Sequence, residues 1–133
     1  MQVAPLSSVR PAHLLIAEDE PHIRRILITI MESSGFEVEV ALDGRQALER
    51  LRSEAAYDLV LMDLLMPYLT GLDVLAEARK MPHRKDLPVV ILTAKGQDAD
   101  RRRAISLGAA DFVTKPFSPK KLLKLVDQLL APG

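Results

Sequence analysis

The 133-residue chain has no cysteine and no tryptophan, and two tyrosines and three phenylalanines leave it only 4% aromatic. Without cysteine, disulfide frameworks and thiolate metal sites are excluded, and a reducing compartment is permitted although not required. With so few rings the core must be built from Leu, Ile, Val, Met and Ala, and a hydrophobic content of 48% supplies enough of them for one core. No apolar run approaches the roughly 18 residues of a membrane span. Residues 1–12 carry Pro5, Ser7, Ser8, Arg10 and Pro11, but neither the basic start nor the apolar stretch of a signal peptide. The expectation is a soluble cytoplasmic protein, with residues 1–12 a flexible leader and residues 13–131 a single domain.

Net charge is absent too, since 18 Lys and Arg balance 18 Asp and Glu, but the balance is uneven along the chain. Residues 1–78 hold 6 basic against 13 acidic side chains, and residues 79–133 hold 12 against 5. Arg101, Arg102 and Arg103 invite a nucleic-acid reading. A three-residue run with no recognition helix or stacking aromatics reads instead as a solvated helix face, so no direct nucleic-acid binding is expected.

What the chain does have is a short apolar run, Leu59 to Met62, that delivers Asp63 into a loop stiffened by Pro67. His13 to Ala17 is a second such run and ends in Glu18-Asp19-Glu20. Pro21 suits a first helical turn, and Ile23, Ile26, Leu27, Ile30 and Met31 form an amphipathic stripe closed by Gly35. Glu37 to Ala41 alternates with period two, the mark of an edge strand. Asp43-Gly44 turns the chain, and Ala47, Leu48 and Leu51 give a short second helix. Gly71 opens a third helix facing inward through Leu72, Leu75 and Ala76, and the segment 82–88 breaks it. Val89 to Leu92 is a buried strand followed by Thr93, and a helix from about Asp98 to Leu107 comes next. Asp111 to Thr114 is a last short strand ending at Lys115-Pro116, and Ser118-Pro119 starts a final helix striped by Leu122, Leu125, Val126, Leu129 and Leu130.

Five strand-then-helix units predict an α/β fold with a parallel sheet and helices on both faces. Parallel connection puts every post-strand loop on one edge, so Glu18, Asp19, Asp63, Thr93 and Lys115 should converge. Ligands bind at that edge of open α/β sheets. Carboxylates brought together repel unless neutralised, and an oxygen-rich site without Cys or His suits Mg²⁺. Lys115 adds a point charge for phosphoryl oxygens, and the Thr93 hydroxyl can donate a hydrogen bond to one. The set reads as a phosphoryl-transfer site with a carboxylate nucleophile. The bland alternative for Lys115 is that it simply bridges the carboxylates.

Leu-Ile-Ala-Glu-Asp-Glu-Pro, Leu-Met-Asp-Leu-Leu-Met-Pro with Gly71 following, Ile-Leu-Thr-Ala and Asp-Phe-Val-Thr-Lys-Pro-Phe resemble the signature blocks of the receiver (CheY-like) domain of two-component response regulators. The resemblance covers about residues 12–131. It implies a flavodoxin-like, doubly wound, five-stranded parallel sheet of order 2-1-3-4-5, (βα)5 in three layers. It implies that Asp63 accepts a phosphoryl group from a sensor histidine kinase or a histidine phosphotransfer protein. Mg²⁺ would be held by Asp19, Asp63 and the Leu65 carbonyl, with Glu18, where Asp is commoner, helping through water. Thr93 and Lys115 would act on the phosphoryl oxygens, Thr93 and Phe112 would form the switch, and Lys115-Pro116 would be cis. Such a protein is a signalling switch rather than an enzyme, promotes its own aspartyl phosphorylation and dephosphorylation, and acts on a downstream effector protein.

Two departures from the family pattern matter. Leu65 and Lys95 occupy the positions, two after Asp63 and two after Thr93, whose side chains overlook the phosphoryl group. Leu65 cannot orient water, so slow loss of phosphate is expected. Lys120, Lys121 and Lys124 make the final helix basic where dimerising relatives alternate signs, so a monomer or weak dimer is expected. His13, His22 and His83 are dispersed and read as surface or loop residues. A flavin-binding flavodoxin needs a hydroxyl-rich loop where Glu18-Asp19-Glu20 stands, and a haloacid-dehalogenase phosphatase needs Asp where Leu65 stands. A folded but never phosphorylated interaction module is the remaining alternative. No output domain follows Gly133, so output is expected by protein contact unless the chain is cut from a longer one.

Overall fold

The computed structural model describes residues 10–94 and 97–131. Strands β1 (His13–Ala17), β2 (Glu37–Ala41), β3 (Leu59–Asp63), β4 (Val89–Thr93) and β5 (Asp111–Thr114) alternate with helices α1 (Pro21–Ser33), α2 (Gly44–Arg52), α3 (Gly71–Ala78), α4 (Asp98–Ser106) and α5 (Pro119–Leu130). All four strand pairings are parallel, in the order β2-β1-β3-β4-β5. This is the flavodoxin-like arrangement that the family resemblance implies.

The sheet's two faces follow from side-chain alternation. Leu15, Val60, Met62, Val89, Ile91 and Phe112 point to one side, beneath α2, α3 and α4. Leu14, Ile16, Leu59, Leu61, Val90 and Leu92 point to the other, where Leu27 and Met31 of α1 and Leu122 and Val126 of α5 cover them. Every residue of β3 and β4 is buried, as two-sided strands require, whereas β2 keeps Glu37 exposed at the sheet edge.

Helix starts are fixed locally. The Asp43 carboxylate accepts from the Gln46 N–H and caps α2, so this residue does more than turn the chain. Thr70 and Asp73 form a reciprocal capping box on α3, and Ser118 accepts from the Lys121 N–H to cap α5. The inward face of α3 differs from expectation: Leu72, Val74, Leu75 and Ala78 are buried while Ala76 is only half-buried. Packed between α2 and α4 as well as over the sheet, α3 buries more than a single stripe.

The segment between α3 and β4 is more than a helix break. Arg84, buried, donates to the carbonyls of Leu51 (2.9 Å), Ser53 (2.9 Å) and Ala55 (2.6 Å) and so ties off the C-terminal end of α2. No helix among the described residues is long and apolar enough to cross a membrane.

The loop from β3 to α3 folds tightly back onto its own strand. The Gly71 N–H donates to the Leu64 carbonyl at 2.8 Å, and a Cβ on Gly71 would stand 2.5 Å from the Asp63 carbonyl oxygen. That oxygen belongs to backbone at a buried strand end and cannot swing aside. Gly71→Ala is therefore expected to cost about 1–3 kcal/mol of unfolding free energy, read by urea denaturation; parental stability would show that the loop can move.

Candidate functional site

Backbone hydrogen bonds lace the carboxyl ends of the strands together. The Glu18 N–H donates to the Ala41 carbonyl (3.1 Å), Leu64 N–H to Leu92 (2.7 Å) and Lys115 N–H to Thr93 (2.7 Å). Each bond joins a residue just past one strand to the end of its neighbour, so side chains leaving these positions start from a rigid edge.

Glu18, fully buried, and Asp63, 6% exposed, face each other across that edge. The Lys115 ammonium lies 2.6 Å from Glu18 Oε1 and 3.4 Å from Asp63 Oδ1. The other Glu18 oxygen accepts from the Glu20 N–H at 3.2 Å. Glu18, Asp19 and Asp63 each offer a carboxylate oxygen, and these oxygens lie within 4.8 Å of one another. Thr93 is buried at the end of β4, one residue beyond Leu92, which pairs with Asp63 in the sheet. Glu18, Asp19, Asp63 and Lys115 come together as expected, and Thr93 ends the strand beside Asp63.

Burial, and after it the Glu18 carboxylate, push the Asp63 pKa up to about 7, against the pull of Lys115. Burial works to lower the Lys115 pKa, but the hydrogen bond to Glu18 and the charges of both carboxylates outweigh it and raise the value. One ammonium thus serves two buried carboxylates and leaves the group acidic. Oxygen donors at this spacing, without sulfur or imidazole, fit a hard divalent cation. Among the described residues no histidine joins them: His13 pairs with Glu39 (3.4 Å), His22 is exposed on α1, and His83 Nε2 lies 3.0 Å from the Leu51 carbonyl.

Phe112 is buried with the Arg101 guanidinium 5.0 Å above its ring. The Leu65 side chain is 57% exposed in the loop after Asp63. The Lys115-Pro116 bond is cis. Lys95 lies outside the described residues. Nothing in the apolar periodicity marks Arg24, whose guanidinium donates to the carbonyls of Glu18 (2.9 Å) and Asp19 (3.3 Å). Its one sequence cue is a cation one turn into a helix that follows three acids.

A family model for the response regulator receiver domain matches residues 14–127. The chain belongs to that family. It is 39% identical over 117 residues to the transcriptional regulatory protein CpxR homolog of Haemophilus influenzae, which covers 88% of this chain and 49% of that protein. The chain thus spans about half the length of the curated relatives it matches. Among solved structures, the Vibrio cholerae chemotaxis protein CheY4 superposes with a TM-score of 0.84 at 30% identity, covering 91% of this chain and all of that one. The receiver domain of a Pseudomonas aeruginosa sensor histidine kinase, with a magnesium ion coordinated in its active-site cleft, superposes with a TM-score of 0.83 at 27% identity, covering 91% and 98%. Receivers are phosphoryl-accepting signalling switches, and this chain is one of that kind.

Asp63 holds its proton to about pH 7 when folded but releases it near 3.8 when unfolded. Its stabilising contribution is therefore full below about pH 4 and is lost as pH rises to about 7 in metal-free solution. Asp63→Asn removes that loss, so in EDTA its thermal midpoint should match the parent near pH 4 and lie clearly above it near pH 8. Equal midpoints at both pH values would contradict the raised pKa.

Proposed function

We propose that Asp63 is the phosphoryl acceptor of this receiver and that Glu18, Asp19, Asp63 and the Leu65 carbonyl hold Mg²⁺. The observation that carries the reading is the Lys115 ammonium 3.4 Å from Asp63 inside a buried acidic group. The magnesium in the Pseudomonas receiver's cleft lends it support. When bound, the ion supplies positive charge that the acidic group and the incoming phosphoryl oxygens need.

The donor is a phosphohistidine of a sensor histidine kinase or phosphotransfer protein. An Asp63 oxygen bonds to phosphorus as the phosphorus–nitrogen bond breaks and its electron pair stays on the imidazole, which takes up a proton. Charge on the phosphoryl oxygens then draws Lys115 away from Glu18, and the Thr93 hydroxyl donates to one of those oxygens. Removal of Thr93 from its resting place frees space near Phe112, and the two together form the switch read by an effector protein. The reading includes a cytoplasmic setting, a receiver over residues 13–131 behind a leader of residues 1–12, and no contact of this segment with nucleic acid. The name of the Haemophilus protein as a transcriptional regulator concerns a chain about twice as long. Exposed Lys120, Lys121 and Lys124 on α5 favour a monomer or weak dimer.

Incubation with a small phosphodonor and Mg²⁺ should add the mass of one phosphoryl group to the parent and none to Asp63→Asn, read by intact-protein mass spectrometry. No adduct on either would support a constitutive interaction module instead. Hydrolysis of the acyl phosphate needs an oriented water, and the Leu65 side chain offers no hydrogen bond to orient one. The adduct should therefore outlast minutes at neutral pH with Mg²⁺, and Leu65→Asn should shorten its life several-fold. Decay of the parent within seconds would contradict this.

A further inference from the structure

Two of the three acids in the turn between β1 and α1 must aim at one point beside Asp63, although adjacent carboxylates repel. The start of α1 does not fix the turn in the usual way. Its N-cap, Glu20, makes no side-chain capping bond, and Pro21 at the first helical position has no N–H to offer. Glu18 is held independently, by Lys115, by the Glu20 N–H and through its own N–H on Ala41. Asp19 is half-exposed and follows it directly.

Arg24 supplies the missing constraint from inside the helix. Its Nη1 reaches back to two consecutive carbonyls, Glu18 at 2.9 Å and Asp19 at 3.3 Å, while its backbone N–H makes the ordinary helical bond to Glu20 at 2.9 Å. A rigid planar donor gripping two successive peptide units fixes the plane between them, and with it the direction in which the Asp19 side chain leaves the backbone. The same bonds satisfy the Glu18 and Asp19 carbonyls at the entry to the helix.

We propose that Arg24 is a positioning residue of the metal-binding turn, holding Asp19 aimed at Asp63 through the backbone rather than through its charge. The inference rests on the reading that this acidic group takes Mg²⁺. Charge and position make opposite demands here, which makes the proposal testable by sign. Arg24 is a cation beside a cation site, so Coulomb repulsion alone predicts that its removal tightens Mg²⁺ binding. Positioning predicts that its removal weakens it, as loss of an outer-shell partner does.

The experiment is calorimetric titration of Mg²⁺ into the parent, Arg24→Met, Arg24→Lys and Arg25→Met at neutral pH and fixed ionic strength, with thermal midpoints in EDTA measured alongside. Arg25 is the exposed neighbour on α1 and controls for charge. Arg24→Met should weaken Mg²⁺ binding by about tenfold. Arg25→Met should leave it unchanged or slightly tighter, and Arg24→Lys, which keeps the charge but loses the planar guanidinium, should fall between parent and Arg24→Met. A purely structural role would lower the metal-free midpoint without moving the affinity of the folded protein. Arg24→Met binding Mg²⁺ as tightly as the parent or more so would overturn the inference alone. If Arg24→Met does not fold, Arg24→Lys decides, and parental affinity in it is overturning. A parent that takes up no Mg²⁺ overturns the metal reading and this inference with it.

Discussion

Like charges crowded at one strand edge are the constraint around which this molecule is arranged. Glu18 and Asp63 are buried within reach of a shared ammonium, and Asp19 adds a third carboxylate within 4.8 Å. The cation that makes the arrangement tolerable, Lys115, stands 97 residues from Glu18 along the chain. A sheet whose strands all run the same way brings such distant residues to one edge, and a rigid edge keeps them there.

That rigidity comes from apolar packing remote from the charges. β3 and β4 are buried along their whole length, so Asp63 and Thr93 are carried on the two strands least able to shift. Helices on both faces hold the sheet, and Arg84 anchors the end of α2 at the opposite edge through three carbonyls. Burial, and after it the Glu18 carboxylate, leave Asp63 with a raised pKa that one ammonium does not offset, so the acidic group gains from any further cation. A receiver uses such an imbalance well, because the same excess of negative charge that attracts a divalent ion makes the site responsive when a phosphoryl group arrives.

Much of this was legible in the chain itself. Continuous apolar runs such as Leu59–Met62 and Val89–Leu92, bounded by turn residues, mark two-sided strands, and alternation with helical stripes argues for parallel pairing, which in turn brings the post-strand residues together. What stayed hidden depends on backbone acceptors. Arg24 and Arg84 act on carbonyls, and every residue has a carbonyl, so no pairing of residue types announces them. The full inward face of α3 was hidden for a related reason, since its neighbours α2 and α4 decide how much of it is covered. That Lys115 rests closer to Glu18 than to Asp63 follows from side-chain reach across a finished edge, which spacing along the chain does not encode.

The convergence of the three carboxylates on one ion is the claim beneath all the others. The most direct measurement is paramagnetic broadening of amide signals by trace Mn²⁺ in the isotopically labelled protein. The account predicts one focus, with broadening strongest at residues 18–20 and 62–65 and weaker along α5 and β2. Broadening spread instead over the exposed acids of the first half of the chain, such as Glu32, Glu37, Glu49 and Glu54, would contradict it.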